Sequence, residues 1–201
     1  AMVGSDLRVS SSTGSGKTAA FVLPALSRVL AARAVAQVDA SKRRDNKTVH
    51  GPRVLVLTPT RELAMQVAKA TDSYGCHIPG LRVATIVGGV PYHAQLKALR
   101  GPLDVLIATP GRLMDHMANG KAVLANVEML VLDEADRMLD MGFIDDIKHI
   151  ASFLPQQRQS VMFSATFAGA VGQLAASMLR PDAQTISVAT HTSTHANIEQ
   201  R

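Results

Sequence analysis

The sequence has no tryptophan, a single cysteine and only 3% aromatic residues. So few rings leave little surface on which nucleobases could stack, so a nucleic-acid partner would be held through its backbone. The lone Cys76 cannot close an intramolecular disulfide, which excludes a disulfide scaffold and fits a reducing cytosol. Its Gly75-Cys76-His77 setting reads as a turn rather than as the site of a nucleophile. No run reaches the ~18 continuous apolar residues of a membrane span, and no secretory signal pattern opens the chain. The expectation is a cytoplasmic protein with no membrane partner.

What remains is ordinary globular material. Of 201 residues, 47% are hydrophobic, enough for a full core and suited in length to one domain. The net charge of +5 favours a polyanionic partner. Short β-rich runs alternate with helical patterns. The strand-like runs are 7–10, 54–57, 83–87, 105–108, 129–132, 160–163 and 185–188; helical periodicity covers 61–74, 92–99, 111–119, 143–153 and 168–179. Several strands are apolar throughout, as in sheets covered on both faces. The alternation predicts an α/β fold: a parallel β-sheet flanked by helices on both faces, with ligands at the carboxyl ends of the strands.

Three stretches are set apart. Residues 4–188 form the expected core. Residues 34–51 are polar, basic and non-periodic, and read as a mobile surface loop, either a solvated linker or an auxiliary RNA-phosphate contact. Residues 189–201 are rich in Thr and His and read as an interdomain linker stub. His191 and His195 have no further ligands nearby to complete a metal site.

The chemistry concentrates in Ser12-Thr13-Gly14-Ser15-Gly16-Lys17-Thr18, between a strand-like and a helix-like run. Glycines let successive N–H groups point into one hollow, and the following helix adds its positive end. Lys17 can reach the β- and γ-phosphates of a nucleotide, and the Thr18 hydroxyl can ligate Mg²⁺. The general pattern G-x-x-x-x-G-K-[ST] is incomplete, because Ser11 stands where glycine is expected. Taken alone, the match also describes an ordinary Gly/Ser loop. About 115 positions after Thr18, the apolar run Met129–Leu132 ends in Asp133, Glu134 and Asp136. Asp133 can hold Mg²⁺, partly through water, and Glu134 can orient and deprotonate an attacking water. The alternative is an acidic helix N-terminus stabilised by the helix dipole. Pro59-Thr60-Arg61-Glu62 and Thr109-Pro110-Gly111-Arg112 each follow a strand and open a helix, while Gly88-Gly89 lets phosphates approach the backbone. Singly, each is also a plausible cap or turn.

Together these segments resemble, in order and spacing, the first RecA-like domain of the DEAD-box RNA helicases. Ser11–Thr18 resembles motif I, Pro59–Ala64 motif Ia, Gly88-Gly89 the GG motif, Thr109–Arg112 motif Ib, Val131–Asp136 motif II and Ser164-Ala165-Thr166 motif III. Asp136–Phe143 is similar to the bacterial RhlE-like branch. The resemblance implies a single RecA-like ATP-binding helicase domain over residues 1–201, using ATP and Mg²⁺ and gripping RNA by its backbone without reading sequence. It implies catalytic roles for Lys17, Asp133 and Glu134, and a link from Asp136 to Ser164 and Thr166 that couples nucleotide state to RNA.

The same resemblance implies a second RecA-like domain, with arginine fingers, and an upstream Q motif that reads adenine. Neither pattern occurs in these residues. The expectation is therefore half of a catalytic site, inactive alone as a helicase. An ATP-switched RNA clamp and a P-loop ATPase that remodels RNA–protein complexes stay open as alternatives.

Overall fold

The computed structural model describes residues 1–11, 14–40 and 51–188. Among these residues seven strands and seven helices alternate, except that two helices follow one another after the fifth strand. In chain order they are β1 (Leu7–Ser10), α1 (Lys17–Ala40), β2 (Val54–Leu57), α2 (Arg61–Tyr74), β3 (Val83–Ile86), α3 (Tyr92–Leu99) and β4 (Val105–Ala108). There follow α4 (Pro110–Ala118), β5 (Met129–Leu132), α5 (Ala135–Asp140), α6 (Ile144–Ser152), β6 (Gln159–Ser164), α7 (Gly169–Met178) and β7 (Gln184–Ser187). Every strand pairing is parallel, in the order β3-β4-β2-β5-β6-β1-β7. The α/β sheet with helices on both faces is the one that the alternating pattern predicts.

Period-two alternation assigns alternate strand residues to two separate cores. Val54, Val56, Val105, Ile107, Met129, Val131, Val161 and Phe163 pack on one side with Phe21, Val22, Leu26 and Val29 of α1 and with α2. Leu55, Leu57, Leu106, Leu130, Leu132 and Met162 pack on the other with residues of α4–α7. Burial on both faces explains why β2, β4 and β5 are unbroken apolar runs. The edge strand β7 differs: all four of its residues are exposed.

The first helix corrects one expectation. The predicted loop does not begin at residue 34, because α1 continues to Ala40. Ala, Arg and Gln in residues 31–40 are strong helix formers, and Arg33 anchors the segment. Its guanidinium donates to the carbonyls of Pro79 (2.6 Å) and Gly80 (2.7 Å) and to both oxygens of Asp104 (2.6 and 3.3 Å). The rest of that predicted loop, 41–50, lies outside the described residues, as does the linker stub 189–201. Residues 17–35 are long and apolar enough to cross a membrane by length and composition. Phe21, Val22, Ala25, Leu26 and Val29 are nonetheless buried at helical spacing, and Phe21 meets Phe163 with ring centroids 5.4 Å apart. That is the pattern of a core helix.

Asp6 locks the end of the sheet that carries β1. It is 2% exposed, and its carboxylate accepts from the backbone N–H of Ser160 (2.8 Å) and Arg180 (2.8 Å) and from the Arg180 guanidinium (3.1 Å). One buried charge thereby ties the start of β1 to β6 and to the turn before β7.

Candidate nucleotide and nucleic-acid site

The strand order sorts the motifs into two groups. The neighbouring strands β5, β6 and β1 end in Asp133-Glu134, in Ser164-Ala165-Thr166 and in the glycine-rich turn. The neighbouring strands β3, β4 and β2 end in Gly88-Gly89, in Thr109–Arg112 and in Pro59–Glu62. The groups meet at the β2/β5 pair, where the Asp133 N–H donates to the Leu57 carbonyl at 3.0 Å.

In the first group, Gly14 and Gly16 take φ of 78° and 83°, a left-handed turn that other residues resist. An added Cβ would meet nothing within 4 Å at either, so their conformation, not crowding, calls for glycine. The turn runs directly into α1, which opens on Lys17 and Thr18 with no acidic residue in its first turn. The positive end of the helix is therefore not countered by its own sequence. Ser11 occupies the position of the missing glycine; it is buried and its N–H donates to Ser164 O at 3.2 Å. Ser12 and Thr13 lie outside the described residues.

Asp133 is only 2% exposed, and its Oδ1 has no hydrogen-bond partner. Burial pushes its carboxyl up to about 6; the nearby Lys17 ammonium opposes the shift, and Glu134 and Asp136 add to it. An orphaned, desolvated carboxylate oxygen suits a hard divalent cation. Glu134 is the N-cap of α5 and has φ 54°, the only positive value at a non-glycine among the described residues. No side-chain capping bond compensates, though its Oε2 lies 3.7 Å from Arg137 Nη1. Such strain is kept where the surroundings hold a side chain in a required direction. The segment does hold an acidic helix start, with Asp136 in the first turn of α5, and Asp133 precedes that helix.

The expected coupling contact is made differently. Asp136 Oδ2 accepts from the Ala165 backbone N–H at 3.3 Å. The hydroxyls of Ser164 and Thr166 instead accept from the N–H groups of Thr166 (3.3 Å) and Ala168 (3.2 Å). A hydroxyl two residues before an N–H makes such a local turn readily, which leaves the Ala165 backbone between them to face Asp136.

In the second group, Thr60 caps α2 by accepting from Leu63 N–H at 3.3 Å, and Glu62 is exposed in its first turn. Thr109 precedes α4 with Pro110 at its first position, and no side chain caps it. The first-turn N–H groups of Gly111 and Arg112 thus lack helical partners. The two arginines turn toward the glycine loop: Arg61 Nη1 donates to Gly89 O at 3.4 Å and Arg112 Nη1 to Val90 O at 2.8 Å. Gly89 has φ 73°, and a Cβ there would lie 2.9 Å from Arg61 Nη1. Gln95 contributes to this surface although no motif includes it. Its buried amide bonds the backbone of Val87 and Val90. The only sequence signal was a polar residue at a core-facing position of α3.

A family model described as "DEAD/DEAH box helicase" matches residues 1–174. A protein called "ATP-dependent RNA helicase DeaD" from Mycobacterium tuberculosis is 41% identical over 199 residues, which is 99% of this chain and 32% of that protein. One of the same name from Buchnera aphidicola is 40% identical over 98% of this chain and 30% of its own length. The chain thus spans about a third of these relatives. The crystal structure of a hypothetical ATP-dependent RNA helicase from Sulfolobus tokodaii superposes with a TM-score of 0.77 at 34% identity, covering 93% of this chain and 49% of that one. With the fold, the order of the motifs and the family model in agreement over most of its length, the chain belongs to the DEAD/DEAH box helicases.

Proposed function

We propose that this chain is the N-terminal RecA-like lobe of an ATP-dependent RNA helicase. In this reading it binds Mg-ATP at the tips of β5, β6 and β1 and the RNA backbone at the tips of β3, β4 and β2. The observation that carries the proposal is Asp133: a buried carboxylate with an orphaned oxygen, two strands from a glycine-rich turn that opens a helix on Lys17 and Thr18.

Each residue then has a physical task. The turn N–H groups and the α1 N-terminus cradle phosphate oxygens, and Lys17 neutralises the β/γ charge. Thr18 and Asp133 would hold Mg²⁺, which when bound offsets negative charge on the phosphates. Glu134 orients the attacking water and accepts its proton. Asp136, through Ala165, carries the state of that site toward the strap after β6. Gly88, Gly89, Thr60, Arg61 and the Thr109–Arg112 turn offer donors to RNA phosphates irrespective of base. A cytoplasmic setting and a second RecA-like domain as partner belong to the same proposal.

An arginine finger supplied from elsewhere is worth roughly 10³–10⁵ in related phosphoryl transfers. The chain alone should therefore hydrolyse ATP very slowly, and RNA should stimulate it strongly only once a second domain is joined to it. Turnover by the chain alone that matches the two-domain protein would refute the proposal. Equal stimulation by DNA and RNA would favour the remodelling ATPase.

A further inference from the structure

We infer that Gln95 is the positioning residue of the RNA-backbone surface and acts by holding the Gly88-Gly89 loop rigid from beneath. The inference rests on the RNA reading of that surface. Gln95 is 3% exposed, and a buried primary amide is costly unless its donors and acceptor are used. Here Oε1 accepts from Val87 N–H at 3.1 Å, while Nε2 donates to Val87 O and Val90 O, both at 3.0 Å. The amide orientation is forced, because a backbone N–H cannot accept.

The three bonds grip the chain immediately before and immediately after the two glycines. Glycine loses more conformational freedom on ordering than any other residue, so an unheld pair would sample many shapes. A second strut, Arg112, meets Val90 O at 2.8 Å, so that carbonyl receives two donors. The base of the assembly is stiff as well. Tyr92, at the start of α3, stacks on the fully buried His116 of α4 with centroids 4.1 Å apart and planes 6° off parallel.

The gripped loop leaves its own donors outward. Gly88 and Gly89 are exposed, and among the described residues nothing accepts from their N–H groups. Two adjacent free N–H groups held on a rigid loop, beside Arg61 and Arg112, suit phosphate oxygens. Gln95 touches no ligand in this scheme; it fixes the groups that do.

The test compares the unaltered chain with Gln95→Met, which keeps volume and removes all three bonds. Affinity for a fluorescent single-stranded oligouridylate is read by anisotropy, affinity for a fluorescent ATP analogue in parallel, and the Gly88 and Gly89 amides by NMR. RNA affinity should fall about tenfold or more while nucleotide affinity stays within about twofold, and the two amide signals should broaden or split. RNA affinity unchanged, or both affinities lost in proportion, would overturn the inference. If Gln95→Met does not fold, Gln95→Glu serves in its place: it keeps the acceptor for Val87 N–H and loses both donors. Failure of the unaltered chain to bind RNA would sink the RNA reading and this inference with it; binding that survives both substitutions would sink the inference alone.

Discussion

The Asp136 carboxylate accepts a hydrogen bond from the Ala165 N–H at 3.3 Å and so joins the first turn of α5 to the turn after β6. A charged acceptor on a backbone donor is worth about 1.5–3 kcal/mol. Removing it by Asp136→Ala should leave nucleotide affinity nearly unchanged in a two-domain protein, while RNA stimulation of ATPase drops by about tenfold or more. Ala165→Pro, which removes the donor N–H and also fixes φ at that position, should reproduce the loss. Ser164→Ala and Thr166→Ala should do less, since their hydroxyls serve local turns. Steady-state ATPase against RNA concentration separates these outcomes.

Glu134→Gln keeps the shape of the side chain and removes its capacity to accept a proton. In a two-domain protein it should lower kcat by about 10²-fold or more, within the usual range for a general base, and leave RNA affinity intact. Intact hydrolysis would instead support the switched-clamp reading. Glu134→Gly should abolish hydrolysis too, yet raise the free energy of unfolding by about 0.5–1 kcal/mol, because glycine takes the left-handed conformation freely.

Asp133 makes the unliganded chain sensitive to pH in an unusual direction. Its folded-state pKa, about 6, lies above the ordinary 3.8. Its contribution is therefore most favourable below the lower value and is lost as pH rises through the higher one. At neutral pH the buried charge costs about 3 kcal/mol from the size of the shift. Asp133→Asn should stabilise the unliganded chain near pH 8 by about 1–3 kcal/mol and have little effect near pH 4. Urea melts at the two pH values decide it.

Asp6 carries the opposite expectation. Removing the carboxylate by Asp6→Ala strands the N–H groups of Ser160 and Arg180 and leaves the Arg180 guanidinium without its partner on Asp6. A loss of about 2–4 kcal/mol is expected, chiefly from the two stranded N–H groups, since the Arg180 side chain is half-exposed and its charge is partly screened. Asp6→Asn should recover part of it, and chemical denaturation measures both.

The sheet was legible because its strands are apolar runs of Val, Ile and Leu, separated by helical patterns that carry their own turn signals. The turns at the strand tips were legible because their geometry needs particular residues: Gly14 and Gly16 for positive φ, Pro110 for a helix start. Gln95 and Asp6 were not. Each is a single polar residue whose role depends on backbone groups brought close by packing, and neither composition nor periodicity encodes those partners. The helical extension to Ala40 was obscured by the basic run that follows it. Arg33 lies just before the predicted loop, and its anchoring role shows only when Asp104, 71 positions away, is brought beside it. Asp136 was expected to link to Ser164 and Thr166, but its hydrogen bond comes from the main chain of Ala165, which has no signature in one-letter code.

The grouping of β3, β4 and β2 at one side of the sheet also sets a footprint. Three neighbouring strands span two spacings, roughly 10 Å, and successive phosphates along a stacked strand advance about 3.4 Å. If these strand tips hold RNA as proposed, this half of the sheet would engage only about four phosphates at once. A grip so short is weak and easily reversed, and an oligomer of about four nucleotides should saturate it as fully as a long transcript.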